Sequence, residues 1–216
     1  MNKLPEWYKL IYEHNFDMIF ITESWLYDGF PSSLLDPYNR FYVIRCDCDR
    51  QFSRGGGVSC LVSRHLSCTE VAIPNTYSSL ELCCFDTTFG DYSFRFFNIY
   101  SKPDAKQERV HYMSQLINCL SELSRVDGAS VIVGDLNCGG IDWFNLCSPS
   151  DGVHDTLLNV TVQKGYSQLV TQPTRDKNIL DLLLTNEPVS ICDVSVQQPF
   201  STSDHCQICF KVLLSN

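Results

Sequence analysis

Apolar positions in this chain fall into short runs separated by turn residues, and the run lengths predict strands more often than helices. FDMIFIT (16–22) is one unbroken run of strand length that stops at Glu23. FYVIRCD (41–47) and GVSCLVS (57–63) predict two further strands around the turn-rich DRQFSRGGG. LELCCFDTT (80–88) and YSFRFFNIY (92–100) flank Phe89-Gly90-Asp91, a hairpin signal. SVIVG (130–134), ILDLLLTN (179–186), ICDVSV (191–196) and DHCQICFKVLL (204–214) complete the strand set. Helical spacing appears in three places. Residues 5–15 put Trp7, Leu10, Ile11 and His14 on one face. Asp104 is placed to cap a helix running to Arg125, with Val110, Met113, Leu116, Ile117, Leu120 and Leu123 as its apolar positions. GVHDTLLNVTVQKG (152–165) predicts the third, closed by Gly165. Many strands and three helices, with no repeat or linker, predict an α/β chain of face-to-face sheets with helices outside, in a single domain over residues 1–216.

Composition narrows this picture. The sequence has no apolar stretch of about 18 residues, so no membrane span or membrane partner is expected. The start, MNKLPEWYKLIYEHNFD, lacks the pattern of a signal peptide, and a nuclear or cytoplasmic rather than secreted protein is expected. Twelve cysteines are many for that setting. The one C-x-x-C, Cys206 to Cys209, lies in a predicted strand, where residues three apart face opposite sides, so a shared metal is disfavoured and the thiols read as small buried hydrophobes. The net charge of −9 argues against a nucleic-acid binder, except that carboxylates gathered around a divalent cation subtract charge the metal would neutralise.

Polar groups sit at the ends of the apolar runs. Glu23 follows FDMIFIT, Tyr100 ends FRFFNIY, and Asp135 and Asn137 follow SVIVG. Asp181 lies inside ILDLLLTN, and Asp204 and His205 open the last run. Each alone reads as a turn residue, a cap or a satisfied core group. Together they place acids, an amide, a phenol and an imidazole at the margins of buried elements, where unpaired charge is costly without a partner or a cation.

The ordered set T-E-S-W-L (22–26), R-G-G-G-V (54–58), I-Y-S-K-P (99–103), V-G-D-L-N (133–137), I-D-W (141–143), P-T-R (173–175), L-D-L-L-L-T-N (180–186) and S-D-H (203–205) resembles the endonuclease/exonuclease/phosphatase family. The resemblance is greatest to the endonuclease domain of non-LTR, Jockey-like retrotransposons, and it covers nearly the whole chain. It implies a four-layer α/β sandwich, with two mixed, mainly antiparallel sheets face to face and helices outside. It also implies an N-terminally truncated domain whose first family strand is missing, detached from the reverse transcriptase of an intact element. The activity implied is divalent-metal-dependent phosphodiester hydrolysis: an endonuclease that nicks DNA and leaves a 3′-hydroxyl primer, with Mg²⁺ or Mn²⁺ as cofactor. The alternatives are another phosphoesterase of the same fold, for abasic sites or as a phosphatase, or a catalytically inactive remnant. By the resemblance, Glu23 and Asp204 are metal ligands, His205 is catalytic, and Asp181 orients it. Asp135 and Asn137 handle the attacking water and the phosphate, and Tyr100 touches the scissile phosphate. Ser203 and the basic residues Arg54, Arg175, Lys102 and Lys177 are placed to contact substrate phosphates. His205 can serve as imidazolium donor or as general base, and sequence leaves both open.

Overall fold

A computed structural model of the chain describes residues 3–48, 55–103, 106–124 and 128–213. The elements in order are α1 (Leu4–Glu13), β1 (Met18–Thr22), β2 (Phe41–Cys46), β3 (Val58–Ser63), β4 (Thr69–Glu70), β5 (Glu81–Phe89), β6 (Tyr92–Tyr100), α2 (Lys106–Leu123), β7 (Ala129–Asp135), α3 (His154–Gln163), β8 (Ser167–Gln168), β9 (Asp181–Thr185), β10 (Ile191–Gln197) and β11 (Gln207–Val212). The predicted strands and helices all form, with ends that shift by up to a few residues. The proposed cap at Asp104 lies outside the described residues. The two-residue strands β4 and β8 were not foreseen, since two residues carry no readable alternation. No helix among the described residues is long and apolar enough to cross a membrane, and all twelve cysteines are free thiols.

The largest sheet has six strands in the order β4-β5-β6-β7-β9-β8. Among the described residues only β6 and β7 pair in parallel, because α2 lies between them in sequence and carries the chain back across the sheet. Alternation along these strands feeds two cores. On one face Phe97, Ile99, Ile132, Leu182 and Leu184 pack with Met113, Leu116 and Leu120 of α2 and Leu157 and Leu158 of α3. On the other, Phe85, Phe94, Phe96, Val131, Val133 and Leu183 meet Val58, Cys60 and Val62 of β3, with Phe20, Ile208 and Phe210 against them. A third core joins Trp7 and Ile11 of α1 to Phe41 and Leu61 on the outer face of the second sheet layer. The layers therefore run helix, sheet, sheet, helix, as the resemblance implied.

The second sheet layer differs in detail from two mixed sheets. It is divided into a three-stranded sheet, β1-β3-β2, and a separate β10-β11 ribbon, each antiparallel throughout. Both parts pack on the same core, and the rings of Phe20 and Phe210 stack with centroids 6.4 Å apart.

Candidate active site

The register of the six-stranded sheet aligns four polar residues. Tyr100 at the end of β6 pairs with Glu81 of β5 on one side and Asp135 of β7 on the other, and Asp135 pairs with Asp181 of β9. Register partners project from the same face of a sheet. Tyr100 and Val133 belong to the core between the two sheet layers, so this row lies on the inter-sheet face, at its margin. The spacing in G-D-L-N follows: Leu136 turns the opposite way and is buried in the core beneath the helices, which leaves Asp135 and Asn137 two apart around the site.

Gly134 in the same motif has a structural reason. Its φ is +128°, and a Cβ there would stand 2.0 Å from the carbonyl oxygen of Ile99 on β6. A side chain would force β6 and β7 apart where they deliver Tyr100 and Asp135. Gly134→Ala is expected to cost roughly 3 kcal/mol or more, because left-handed strain and a backbone clash act together. A thermal melt checks this, and an unchanged midpoint contradicts it.

Beyond the strand the chain turns sharply. Asn137 has φ +51°, a conformation Asn tolerates better than most residues. Its backbone N–H donates to Asp135 Oδ1 at 2.9 Å. Its side-chain amide donates to Asp135 Oδ2 at 3.1 Å and to the Ser101 carbonyl at 2.9 Å. Arg109 of α2 clamps the turn from behind, donating to the Asn137 carbonyl at 2.8 Å.

His205 joins the row from the loop before β11. Its Nδ1 lies 2.7 Å from Asp181 Oδ2, and its Nε2 lies 3.9 Å from Asp135 Oδ2. The hydrogen bond to Asp181 raises the His205 pKa, against the opposing effect of burial, with the charges of Asp181, Asp135 and Asp204 adding to the rise. Asp135 is 3% exposed. Burial and the neighbouring Asp181 carboxylate push its pKa up to about 7, although His205 and the Asn137 N–H pull the other way. Asp135, Asp181 and His205 each offer one ligand atom within 4.8 Å of the others, a spacing a metal ion could bridge.

Glu23 enters from the opposite sheet layer, one residue past β1, with φ +48°. Tyr100 donates its hydroxyl to Glu23 Oε1 at 2.7 Å, and Trp25 Nε1 donates to Oε2 at 3.2 Å. Burial, and then the hydrogen bond to Glu23, raise the Tyr100 pKa and keep the phenol a donor. Glu23 reaches the row through Tyr100, the register partner of Asp135, and lies outside the 4.8 Å group of Asp135, Asp181 and His205.

The other expected residues are placed differently. Asp204 is largely exposed and stands apart from the Asp135, Asp181 and His205 group, with Oδ2 2.6 Å from Arg175 Nη2. Arg175 Nη1 also lies 3.4 Å from His205 Nε2, so this arginine covers the imidazole edge. Ser203 is turned to the backbone, where its hydroxyl accepts from the His205 N–H at 3.2 Å. Lys102 is paired with Glu81 at 2.5 Å. Arg54 lies outside the described residues. Trp143 packs against the helix-side core. Two contributors escaped the sequence reading. One is Arg109. The other is the buried Thr174 of P-T-R, whose hydroxyl accepts from the N–H groups of Leu180 and Asp181 at 3.0 and 3.1 Å and whose carbonyl accepts from Cys206 N–H at 2.8 Å. Thr174 thus ties the segments carrying Asp181 and His205 together. Its position inside a motif was the available signal.

The family model described as endonuclease-reverse transcriptase matches residues 94–209. That span holds Tyr100, Asp135, Asn137, Asp181, Asp204 and His205 and leaves Glu23 upstream. No curated protein matches the chain. Among solved structures, the endonuclease domain of TRAS1, a telomere-specific non-LTR retrotransposon, is similar with TM-score 0.71 and 14% identity, covering 99% of this chain and 94% of that one. The AP endonuclease LMAP from Leishmania major is similar with TM-score 0.71 and 13% identity, covering 99% of this chain and 83% of that one. The 3′-5′ exonuclease NExo from Neisseria meningitidis is similar with TM-score 0.69 and 16% identity, covering 97% and 94%. At such identities the likeness shows a shared fold.

Proposed function

The chain belongs to the endonuclease-reverse transcriptase family, and on that premise we propose that it is a divalent-cation-dependent phosphodiester hydrolase that nicks DNA and leaves a 3′-hydroxyl. The observation that carries this reading is the Asp181–His205–Asp135 series lying beside Glu23 and Tyr100. It combines a held imidazole, a buried carboxylate of raised pKa and a third carboxylate positioned from the facing sheet.

The residues divide the work. The two N–H contacts from Asn137 fix the Asp135 carboxylate, which orients the attacking water and accepts one of its protons. The water oxygen bonds to phosphorus as the bond from phosphorus to the 3′ oxygen breaks; that oxygen takes a proton from solvent, and Asp135 then returns the proton it accepted to solvent. His205, held by Asp181, favours the cationic form, which suits a donor to the charge that develops on the phosphate better than it suits a base. Tyr100 and the Asn137 amide hold the carboxylates in place, the phenol donating to Glu23 and the amide to Asp135.

The donor set fits a hard cation. Among the described residues no lysine or arginine pairs with Glu23, Asp135 or Asp181, and among them His205 is the cationic side chain beside Asp181 and Asp135. Glu23 would hold the cation, and Asp204 would join it on leaving Arg175. A bound Mg²⁺ or Mn²⁺ offsets charge on the phosphate and leaving oxygens. The coordinating oxygens do not distinguish the two ions.

Three substrates given to one preparation test the reaction class: supercoiled plasmid, a duplex carrying a single abasic site, and p-nitrophenyl phosphate. The expected result is nicked plasmid whose ends a DNA polymerase extends directly. Turnover confined to the abasic duplex or to the phosphomonoester would replace this reading with a repair or phosphatase activity.

A further inference from the structure

Glu81 is the one member of the four-residue row to which the reaction assigns no role. It is 9% exposed. Its Oε2 accepts the Gly57 backbone N–H at 2.5 Å and its Oε1 meets Lys102 Nζ at 2.5 Å. With one oxygen on a backbone donor and the other on an ammonium, this carboxylate is committed within the protein and poorly suited to be a ligand itself.

What it holds leads back to Glu23. The carbonyl of Gly57 accepts from Ser24 N–H at 3.0 Å, and the carbonyl of Gly56 accepts from Trp25 N–H at 2.9 Å. Those bonds fasten a segment that is held against its intrinsic preference, since Glu23 and Trp25 have φ of +48° and +54°. The glycines are required by contact. A Cβ on Gly56, whose φ is +103°, would stand 2.4 Å from Glu81 Oε2, and one on Gly57 would stand 2.8 Å from Ser24 Oγ. The glycine segment is thus pressed between the Glu81 carboxylate and the turn that presents Glu23.

We propose that Glu81 is a positioning residue: with Lys102 it clasps the Gly56-Gly57 backbone, which in turn fixes the strained Glu23 turn so that the Glu23 carboxylate is set for a divalent cation. This rests on the hydrolase reading for the purpose of the cation, though not for the geometry. A group that orients a metal ligand changes affinity without touching the metal.

The test uses Mn²⁺ alone as probe, with free Mn²⁺ followed by electron paramagnetic resonance, on wild type, Glu81→Gln and Glu81→Ala. Glutamine is isosteric but has one acceptor oxygen for two donors, so one side of the clasp must fail while the fold is kept. The expected result is a Kd for Mn²⁺ raised about tenfold in Glu81→Gln, and by up to about a hundredfold in Glu81→Ala. Both changes should vanish in a Glu23→Gln background, where nothing remains to be positioned. Unchanged Mn²⁺ affinity in Glu81→Gln overturns the proposal, and so does a loss of equal size in the Glu23→Gln background, which would make Glu81 a ligand. Weakened Mn²⁺ binding in the variant, with no DNA nicking even by wild type, supports the clasp and overturns the nuclease reading. Absence of Mn²⁺ binding by wild type overturns both.

Discussion

His205→Ala is expected to lower the rate of DNA nicking by about a thousandfold with substrate affinity nearly unchanged, and to lower the melting temperature at neutral pH, because Asp181 and Asp135 lose their cationic partner. The imidazole is held by Asp181 at 2.7 Å and directed toward Asp135 at 3.9 Å. Its loss removes a charged donor that acts as charge builds on the phosphate, and single groups of this kind contribute about two to four orders of magnitude. Asp181→Asn should give a smaller loss, since the ring stays in place while the support for its cationic form is weakened. The double variant should be no slower than His205→Ala, because the two residues act as one unit. Single-turnover rates on one plasmid decide it. Additive losses would show that Asp181 acts independently of His205.

Asp135→Asn is expected to abolish nicking to a similar extent and to lose less stability than wild type as pH rises from about 4 to about 7. Burial and the Asp181 charge raise the Asp135 pKa from 3.8 to about 7. A carboxyl with a raised native pKa binds protons more tightly in the folded state, so native stability falls as pH rises from about 4 to about 7. Raised His205 also loses its stabilising contribution as pH rises, and it is present in both proteins. The difference between wild type and Asp135→Asn therefore shifts in the variant's favour across this window, by a few degrees of melting temperature between pH 4 and pH 8. Millimolar Mg²⁺ should narrow the gap by raising the wild-type midpoint. A difference that is the same at pH 4 and pH 8, or a metal effect equal in both proteins, would show that the buried carboxylate carries no such penalty. This is the expected trade between activity and stability at a site that gathers like charges.

Much of this was legible because rigid apolar runs end where the site begins. FDMIFIT stops at Glu23 and SVIVG stops at Asp135, and both strands form with those residues at their margins. The two-residue spacing of Asp135 and Asn137 around a buried Leu136 was likewise readable, because alternation survives the strand end. What sequence does not encode locally is register. Glu81 stands in LELCC as the first polar residue of an apolar run, and only strand pairing brings it beside Tyr100. Loop pairing is equally hidden. Arg175 and Lys102 were expected at phosphates, yet they pair with Asp204 and Glu81, carboxylates distant in sequence. The division of the second sheet layer depends on hydrogen bonds between remote strands, and runs of the same apolar character do not specify it.

The most direct measurement of the central claim is nicking of supercoiled plasmid by the purified chain in Mg²⁺ and in EDTA, beside Asp135→Asn and His205→Ala. Relaxation that requires the cation and is lost in both variants, with both still folded by circular dichroism, is the predicted result. Relaxation that persists in EDTA, or survives in either variant, would contradict an active site built from Glu23, Tyr100, Asp135, Asp181 and His205.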